Sequence, residues 1–230
     1  AWRKRTQGTS WYNETLNTSI RGSRKEFPAV AVIVAEINKV TIYDGDDPDL
    51  PMWMVFTRSG QGILAHSTIT PTCVSMLNGY LSIGTDPTGI RVINYISEKT
   101  QSYHSNSGAT YQGIFLGSVA QRDNAIAFDT PNATVIVNAS VNDVAMTVLP
   151  NAPIDAATGL AVPTIAVATG GGTSIIRDDG TVVDITGILS GSRASDHAVL
   201  FDDVNRLWLV DRDFGDYGFY LVGFNSVPSA

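Results

Sequence analysis

The chain has 230 residues, of which 43% are hydrophobic and 16% are charged, and its net charge is −7. This composition supplies material for a core and excludes a disordered chain. The single cysteine, Cys73, excludes an intrachain disulfide framework and a cysteine-based zinc site, and its apolar neighbours predict a buried, inert thiol. No apolar stretch reaches the roughly 18 residues of a membrane span, and no signal peptide is visible.

Residues 1–28 are predicted to form a basic, extended N-terminal arm. Residues 1–25 hold six basic side chains and one acidic side chain, so their net charge is +5 and the rest of the chain carries −12. The acidic body does not suit nucleic acid, since phosphate contacts need clustered cations. The opposite charges favour assembly, in which the arm docks on another copy, over nucleic-acid contact by the arm or a merely solvated segment. The predicted assembly residues are Trp2, Arg3, Lys4, Arg5, Trp11, Arg21, Arg24 and Lys25.

Residues 29–230 are predicted to form one repetitive β domain. Five segments share a plan of three apolar strands separated by short turns, and they start at residues 30, 73, 125, 164 and 198. The predicted strands are Val30–Ala35, Val40–Tyr43 and Met52–Phe56; Cys73–Leu77, Tyr80–Ile83 and Ile90–Ile96; Ala125–Phe128, Thr134–Val137 and Val144–Leu149; Thr164–Ala168, Thr173–Ile176 and Thr181–Ile185; and Ala198–Phe201, Arg206–Val210 and Phe219–Phe224.

The repeat predicts an all-β fold, a β-propeller of about five blades or a fragment of a larger propeller. The segment spacing of 34–52 residues brackets that of known propeller blades. Strands such as Thr164–Ala168 lack the alternation of apolar and polar residues that a half-exposed sheet shows, which favours sheets stacked between neighbours. A β-sandwich or barrel is the alternative.

An acidic turn follows the second predicted strand, with Asp44, Asp46, Asp47 and Asp49. Oxygen ligands at alternate positions can bind calcium, although the glycine and glutamate positions of an EF-hand loop do not match. The competing interpretation is a hairpin loop whose aspartates accept hydrogen bonds from backbone amides. We expect no cofactor, and calcium at this turn is the one metal to consider.

No motif specifies a catalytic site, so we predict no catalytic residue and a protein that is not an enzyme. The three histidines, His66, His104 and His197, lack metal-ligand spacing. A glycosidase would need converging carboxylates, and Glu36, Asp44 and Asp46 are the candidates for that less favoured activity. For glycan binding, the candidate contacts are Tyr217 with Asp213 and Asp216, because a loop tyrosine can stack on a sugar.

Two regions resemble tail-associated, propeller-type virion proteins of tailed bacteriophages. The first is Arg21-Gly22-Ser23-Arg24-Lys25-Glu26-Phe27-Pro28 with the strands and acidic turn that follow it, and the second runs from Pro163 through Ser174-Ile175-Ile176-Arg177-Asp178-Asp179-Gly180. The resemblance implies a structural and interaction protein located in the virion tail. Its implied partners are other virion proteins or copies of itself, and a host-surface glycan in the alternative function of a host-attachment module.

Overall fold

The computed structural model describes residues 2–58, 62–66, 68–106, 109, 111–130, 134–186, 195–213 and 218–227. Within these residues the chain forms sixteen strands in four antiparallel sheets, together with three short 3-10 helices. The all-β prediction is confirmed. No helix among the described residues has the length and apolar character needed to cross a membrane.

Each sheet is an up-and-down meander in which strands adjacent in sequence pair with each other. The first sheet contains β1 (Ala31–Glu36), β2 (Lys39–Asp44) and β3 (Met52–Thr57). The second contains β4 (Thr70–Leu77), β5 (Tyr80–Asp86), β6 (Gly89–Asn94), β7 (Thr100–Tyr103), β8 (Gly113–Phe115) and β9 (Phe128–Asp129). The third contains β10 (Val141–Thr147), β11 (Thr164–Thr169), β12 (Gly172–Ile176) and β13 (Val182–Ile185), and the fourth contains β14 (Asp196–Phe201), β15 (Leu207–Asp213) and β16 (Gly218–Phe224).

Local sequence explains the tight turns between strands. Asn78 and Gly79 form the two-residue connection between β4 and β5, and both have positive φ, 50° and 82°. Two consecutive positive φ values are the signature of the type I′ hairpin turn, for which Asn-Gly is the preferred pair. This turn fixes the register that places Leu77 opposite Tyr80.

The third predicted segment is not a separate sheet, so the described residues form four sheets and not five. Phe128 lies in β9, which pairs with β8 at the edge of the second sheet. Val135 makes only an isolated bridge to His104. Val144 lies in β10, which pairs with β11 and therefore opens the third sheet. Apolar runs indicate strands but do not specify which sheet a strand joins, since pairing depends on distant residues.

The four sheets pack in series, largely through their first strands. β4 packs against β1, β10 packs against β4 and β5, and β14 packs against β10 and β11. This is the stacked, propeller-like arrangement that the repeat predicts, and none of the sheets in the described residues closes into a barrel.

β11 shows why the predicted strands lack alternation. Ile165 and Val167 belong to the buried cluster between the second and third sheets, whereas Ala166 and Ala168 belong to the cluster between the third and fourth sheets. Every residue of β11 is buried. Both faces of this strand are therefore apolar because the third sheet lies between two neighbours.

The N-terminal residues are part of this fold. They begin with 3-10 helices at Trp2–Gly8 and Trp11–Asn13, where an extended arm was predicted. Trp11 and Phe27 lie in the buried cluster between the first and second sheets. Arg21 forms a β-bridge with Met54, beside the edge of the first sheet.

Candidate ligand-binding cleft

An open cleft of about 400 Å³ lies between the second and third sheets. β5, β6 and β7 form one wall, β11 and β12 form the other, and the loop before β11 contributes to the rim. The strand register places Tyr80 opposite Asn94, and Val92 opposite Gln101, so these four side chains share the cleft face of the second sheet.

A hydrogen-bond network crosses the cleft at one end. The hydroxyl of Tyr80 donates to the carboxylate of Asp155, and the side-chain amide of Asn94 donates to the same oxygen at 2.6 Å. The Asn94 side-chain oxygen accepts hydrogen bonds from the backbone amides of Ile96 and Ser97 at 2.9 and 3.0 Å. The positions of all three side chains of the network are thereby fixed relative to the sheet.

Asp155 is held in a tight turn of the loop before β11. Its carboxylate accepts hydrogen bonds from the backbone amides of Ala157 and Thr158, at 2.6 and 3.4 Å. The guanidinium of Arg5 donates to the carbonyls of Ala156 and Ala157, at 2.8 and 2.9 Å. An N-terminal residue therefore braces the loop that carries Asp155.

The network controls the charge of the cleft. Burial tends to raise the pKa of Asp155, but hydrogen bonds from Tyr80 and from backbone amides outweigh it and lower the pKa below its ordinary value. Burial, followed by the hydrogen bond to Asp155, raises the pKa of Tyr80. At neutral pH, Asp155 is an anion and Tyr80 is a hydrogen-bond donor.

Polar side chains line the rest of the cleft. Lys99 is exposed and Gln101 is half-buried, and within the described part of the chain neither side chain has a hydrogen-bond or ion-pair partner. Arg177 and Asp178 line the opposite wall, and Tyr103 lies deeper, between the sheets. The cleft therefore offers an aromatic surface, an unengaged amide and charges of both signs.

Sequence reasoning did not find this site. Tyr80 lies in a predicted strand, where an aromatic side chain is expected to pack in the core, yet it is only partly buried and its hydroxyl donates to Asp155 in the cleft. Asp155 lies in a loop with three prolines and has no motif around it. Asn94 and Tyr80, which donate to it, lie 61 and 75 positions away in sequence, and Arg5 contacts the neighbouring Ala156 from 151 positions away. No local pattern records such contacts.

The aspartates of the acidic turn are engaged with the protein. Arg24 donates to Asp44 and Asp46 at 2.8 and 2.7 Å, and Asp46 also accepts from the backbone amides of Ala29 and Val30. These bonds, led by that from Ala29, lower the pKa of Asp46.

The remaining features of the turn agree with a braced hairpin loop. Asp47 accepts a hydrogen bond from the backbone amide of Asp49. No group of three or more His, Cys, Asp or Glu side chains in the described ranges is arranged to hold a metal ion. Glu36, a candidate catalytic carboxylate, pairs with Lys39 at 3.3 Å and accepts from Thr41.

The predicted assembly residues have mixed locations. Trp11 and Arg21 are fully buried, and Arg24 is paired with the acidic turn. Lys4 and Lys25 are exposed, with Lys25 5.5 Å from the ring centre of Tyr12. The side chains of Trp2 and Arg3 lie outside the described residues. To contact another copy of the chain, three of these side chains would first have to break their contacts within the chain, namely Trp11, Arg21 and Arg24.

The remaining predicted positions are the glycan-contact residues and Cys73. Tyr217, Asp216 and the side chain of Asp213 lie outside what the structure describes. Burial raises the pKa of the Cys73 thiol to about 11, which agrees with an inert side chain.

A second surface feature is the outward face of the fourth sheet. The register places Leu200 opposite Trp208, and Val210 opposite Leu221, on one face of that sheet. Leu200 and Leu221 are 48% and 64% exposed. At the other end of the series, Val32 and Val34 of β1 are 40% and 38% exposed. Both end sheets thus present apolar side chains to solvent.

Comparisons with known proteins give little further information. No protein-family model and no curated protein matches this chain. Among solved structures, a match is described as YCF48 bound to D1 peptide, with 12% identity and a TM-score of 0.29. The match covers 86% of this chain and 71% of the other, and at this level of similarity it carries no argument about function.

Proposed function

We propose that this chain is a non-enzymatic glycan-binding module that uses the cleft between the second and third sheets. The observation that carries the proposal is the fixed network of Tyr80, Asn94 and Asp155 beside the unengaged amide of Gln101. A host-surface glycan is the proposed ligand, in keeping with the resemblance to virion tail proteins.

The side chains of the cleft suit a polyhydroxylated ligand. Planar amide, carboxylate and guanidinium groups can each bind two neighbouring sugar hydroxyls, and a tyrosine ring can pack against the apolar face of a sugar ring. Gln101 and Arg177 supply such planar groups, while Asn94 and Asp155 are engaged with each other and with backbone amides. Since Asn94 and Asp155 are held in place before the ligand arrives, little conformational entropy is lost on binding.

The carboxylates favour binding over hydrolysis. A glycosidase needs one carboxylic acid with a raised pKa to protonate the leaving group. Hydrogen bonds lower the pKa of Asp155, and hydrogen bonds from Thr181 lower that of Asp179, so both are anions at neutral pH. Asp179 can accept hydrogen bonds from sugar hydroxyls, whereas the acceptor positions of Asp155 are already taken by Tyr80, Asn94 and two backbone amides. Both carboxylates are poor proton donors.

A glycan array tests the proposal with the whole chain. We expect binding to a restricted set of bacterial surface glycans and loss of most of the signal in Gln101→Ala and Lys99→Ala, since both side chains line the cleft without partners of their own. Lys39→Ala, on the first sheet, is the matched control and should bind as the unmodified protein does. The absence of any array signal, or equal losses in all three variants, would contradict the proposal.

A structural role in assembly is a second candidate, favoured by the apolar end sheets. Contiguous exposed apolar side chains commonly mark protein contacts. We propose that the outward face of the fourth sheet, with Leu200 and Leu221, packs on the exposed face of β1 in a second copy, with Val32 and Val34. The two faces belong to opposite ends of the same series of sheets, so their packing would continue the stacking seen within one chain.

A further inference from the structure

A second cavity, of about 270 Å³, opens on the side of the second sheet that faces away from the cleft. His66, Thr88, Arg91, His104 and Tyr111 line it. The alternation of side chains along β6 directs Val92 and Asn94 to the cleft, and Arg91 to the opposite face. The cavity is therefore separate from the proposed glycan site and does not depend on it.

Arg91 is fully buried, and no anionic side chain pairs with it in the part of the chain that the structure describes. Its guanidinium donates to the carbonyl of Ile63 at 3.0 Å, to the carbonyl of Thr88 at 2.9 Å and to the Thr88 hydroxyl at 3.4 Å. No carboxylate pairs with it among the described residues. Three donated bonds leave two of the five guanidinium N–H groups without an acceptor among the described residues.

The other fully buried arginines among the described residues have an anionic partner. Arg21 and Arg122 share the carboxylate of Glu14, at 3.6 and 3.0 Å. Buried charges are normally paired because an isolated charge in a low-dielectric interior is costly. Burial lowers the pKa of Arg91 to about 10, and no carboxylate among the described residues opposes the effect.

Two histidines line the same cavity, and each has its Nδ1 engaged by a backbone amide. The backbone amide of Thr68 donates to Nδ1 of His66 at 3.3 Å, and that of Asn106 donates to Nδ1 of His104 at 3.0 Å. With Nδ1 accepting, the proton of each neutral imidazole lies on Nε2. His66 also has a φ of 122°, a strained value for a residue other than glycine, of the kind that is concentrated at functional sites.

From these contacts we infer that the cavity binds a small oxyanion group, a carboxylate or a phosphate, between the guanidinium of Arg91 and the Nε2 atoms of His66 and His104. The described residues that line the cavity include no aspartate or glutamate, although the chain as a whole is acidic. An oxyanion would accept hydrogen bonds from the remaining guanidinium N–H groups, and its negative charge would neutralise the positive charge of Arg91. Carboxylate and phosphate oxygens both match the geometry of a guanidinium.

An NMR titration of the whole chain tests this site. Acetate and inorganic phosphate are the probes, each titrated through the millimolar range with sodium chloride at matched ionic strength as the control. We expect saturable shifts of the imidazole resonances of His66 and His104 and of the Arg91 Nε–H resonance, and unchanged resonances for His197. Saturation by acetate alone identifies a carboxylate ligand, and saturation by phosphate alone identifies a phosphate.

The variants are chosen to remove only the cavity-facing donor. In His104→Asn and His66→Asn the amide oxygen can replace Nδ1 as the local acceptor, while the Nε2 donor is lost. Each variant should raise the dissociation constant about tenfold or more, the usual effect of losing one hydrogen bond to a charged group. His197→Asn is the matched control and should bind as the unmodified protein does.

Two results would overturn the inference. One is a lack of saturable shifts with either anion in the unmodified protein, a result that does not depend on the variants folding. The other is an equal loss of binding in His104→Asn and His197→Asn, which would indicate general charge screening. Neither result bears on glycan binding at the cleft, so the two proposals can fail separately.

Discussion

The indole Nε1 of Trp11 donates a hydrogen bond of 2.6 Å to the backbone carbonyl of Tyr95. This bond joins the N-terminal segment to the second sheet, directly after β6. The Trp11 ring also makes edge-to-face contacts with Trp53, Tyr95 and Phe27, at centroid distances of 5.5, 5.9 and 6.4 Å. A segment that looks like a separate arm in sequence is therefore part of the buried core.

Replacing Trp11 with alanine should strongly destabilise the fold. The side chain is fully buried, and truncation of a buried aromatic residue costs about 3–5 kcal/mol. Urea unfolding followed by circular dichroism measures the free energy of unfolding. Lys4→Ala, on the same segment but exposed, should leave that free energy unchanged. A loss below about 1 kcal/mol for Trp11→Ala would mean that the segment is dispensable for the fold.

Replacing Arg5 with alanine should weaken ligand binding more than it weakens the fold. The guanidinium braces the loop that presents Asp155, but the residue itself is exposed. We expect affinity for an array-selected glycan to fall several-fold and the free energy of unfolding to fall by about 1 kcal/mol at most. Isothermal titration calorimetry and urea unfolding measure the two effects, with Lys4→Ala again as the control. Unchanged affinity would remove Arg5 from the site.

Asp155 should make stability depend on pH in the acidic range. Its pKa is lowered in the folded protein, so its contribution is present above the unfolded value of about 3.9 and is lost as pH falls through the folded value. The stability gap between the unmodified protein and Asp155→Asn should therefore shrink as pH falls below about 4. Tyr80→Phe removes one of the hydrogen bonds that lower the pKa of Asp155. At neutral pH, Asp155→Asn should therefore reduce the free energy of unfolding by less in the Tyr80→Phe protein than in the unmodified protein. If the difference in stability between the unmodified protein and Asp155→Asn grows as pH falls, the pKa of Asp155 is not lowered in the folded protein.

The outward face of the fourth sheet should control self-association. We expect the unmodified chain to associate with increasing concentration in analytical ultracentrifugation, and Leu200→Thr combined with Leu221→Thr to suppress that association. Leu116→Thr is the matched control, because Leu116 is 62% exposed but lies beyond β8. A chain that is monomeric at all concentrations, or an equal effect of the control, would exclude assembly through this face.

The sequence predicts most strands of this protein, but it misses β7 and β8 and predicts a strand at Thr134–Val137, where the structure has only an isolated bridge at Val135. It predicts the grouping of strands into sheets less well. Apolar runs identify β11 as a strand buried on both faces, because local composition carries that information. The assignment of β9 to the second sheet and β10 to the third depends on pairing between distant segments. Local patterns do not encode such pairing.

The candidate sites were harder to predict for the same reason. Asp155 becomes distinctive through Tyr80, Asn94 and Arg5, which come from three other parts of the chain. Arg91 becomes distinctive by comparison with Arg21 and Arg122. Both of these pair with the carboxylate of Glu14, whereas no carboxylate among the described residues pairs with Arg91. Long-range contacts of this kind can be read only from the folded chain.

The most direct test of the central claim is an NMR titration of the side-chain amides with the best glycan from the array. If the cleft is the binding site, the amide resonances of Gln101 and Asn94 shift together and saturate with the same dissociation constant. The side-chain amide resonance of Asn142 should not shift. Asn142 lies on the other side of the third sheet, where it donates to the carbonyl of Asp196. Saturable binding that leaves Gln101 and Asn94 unshifted would contradict the account, because the glycan would then bind elsewhere on the protein.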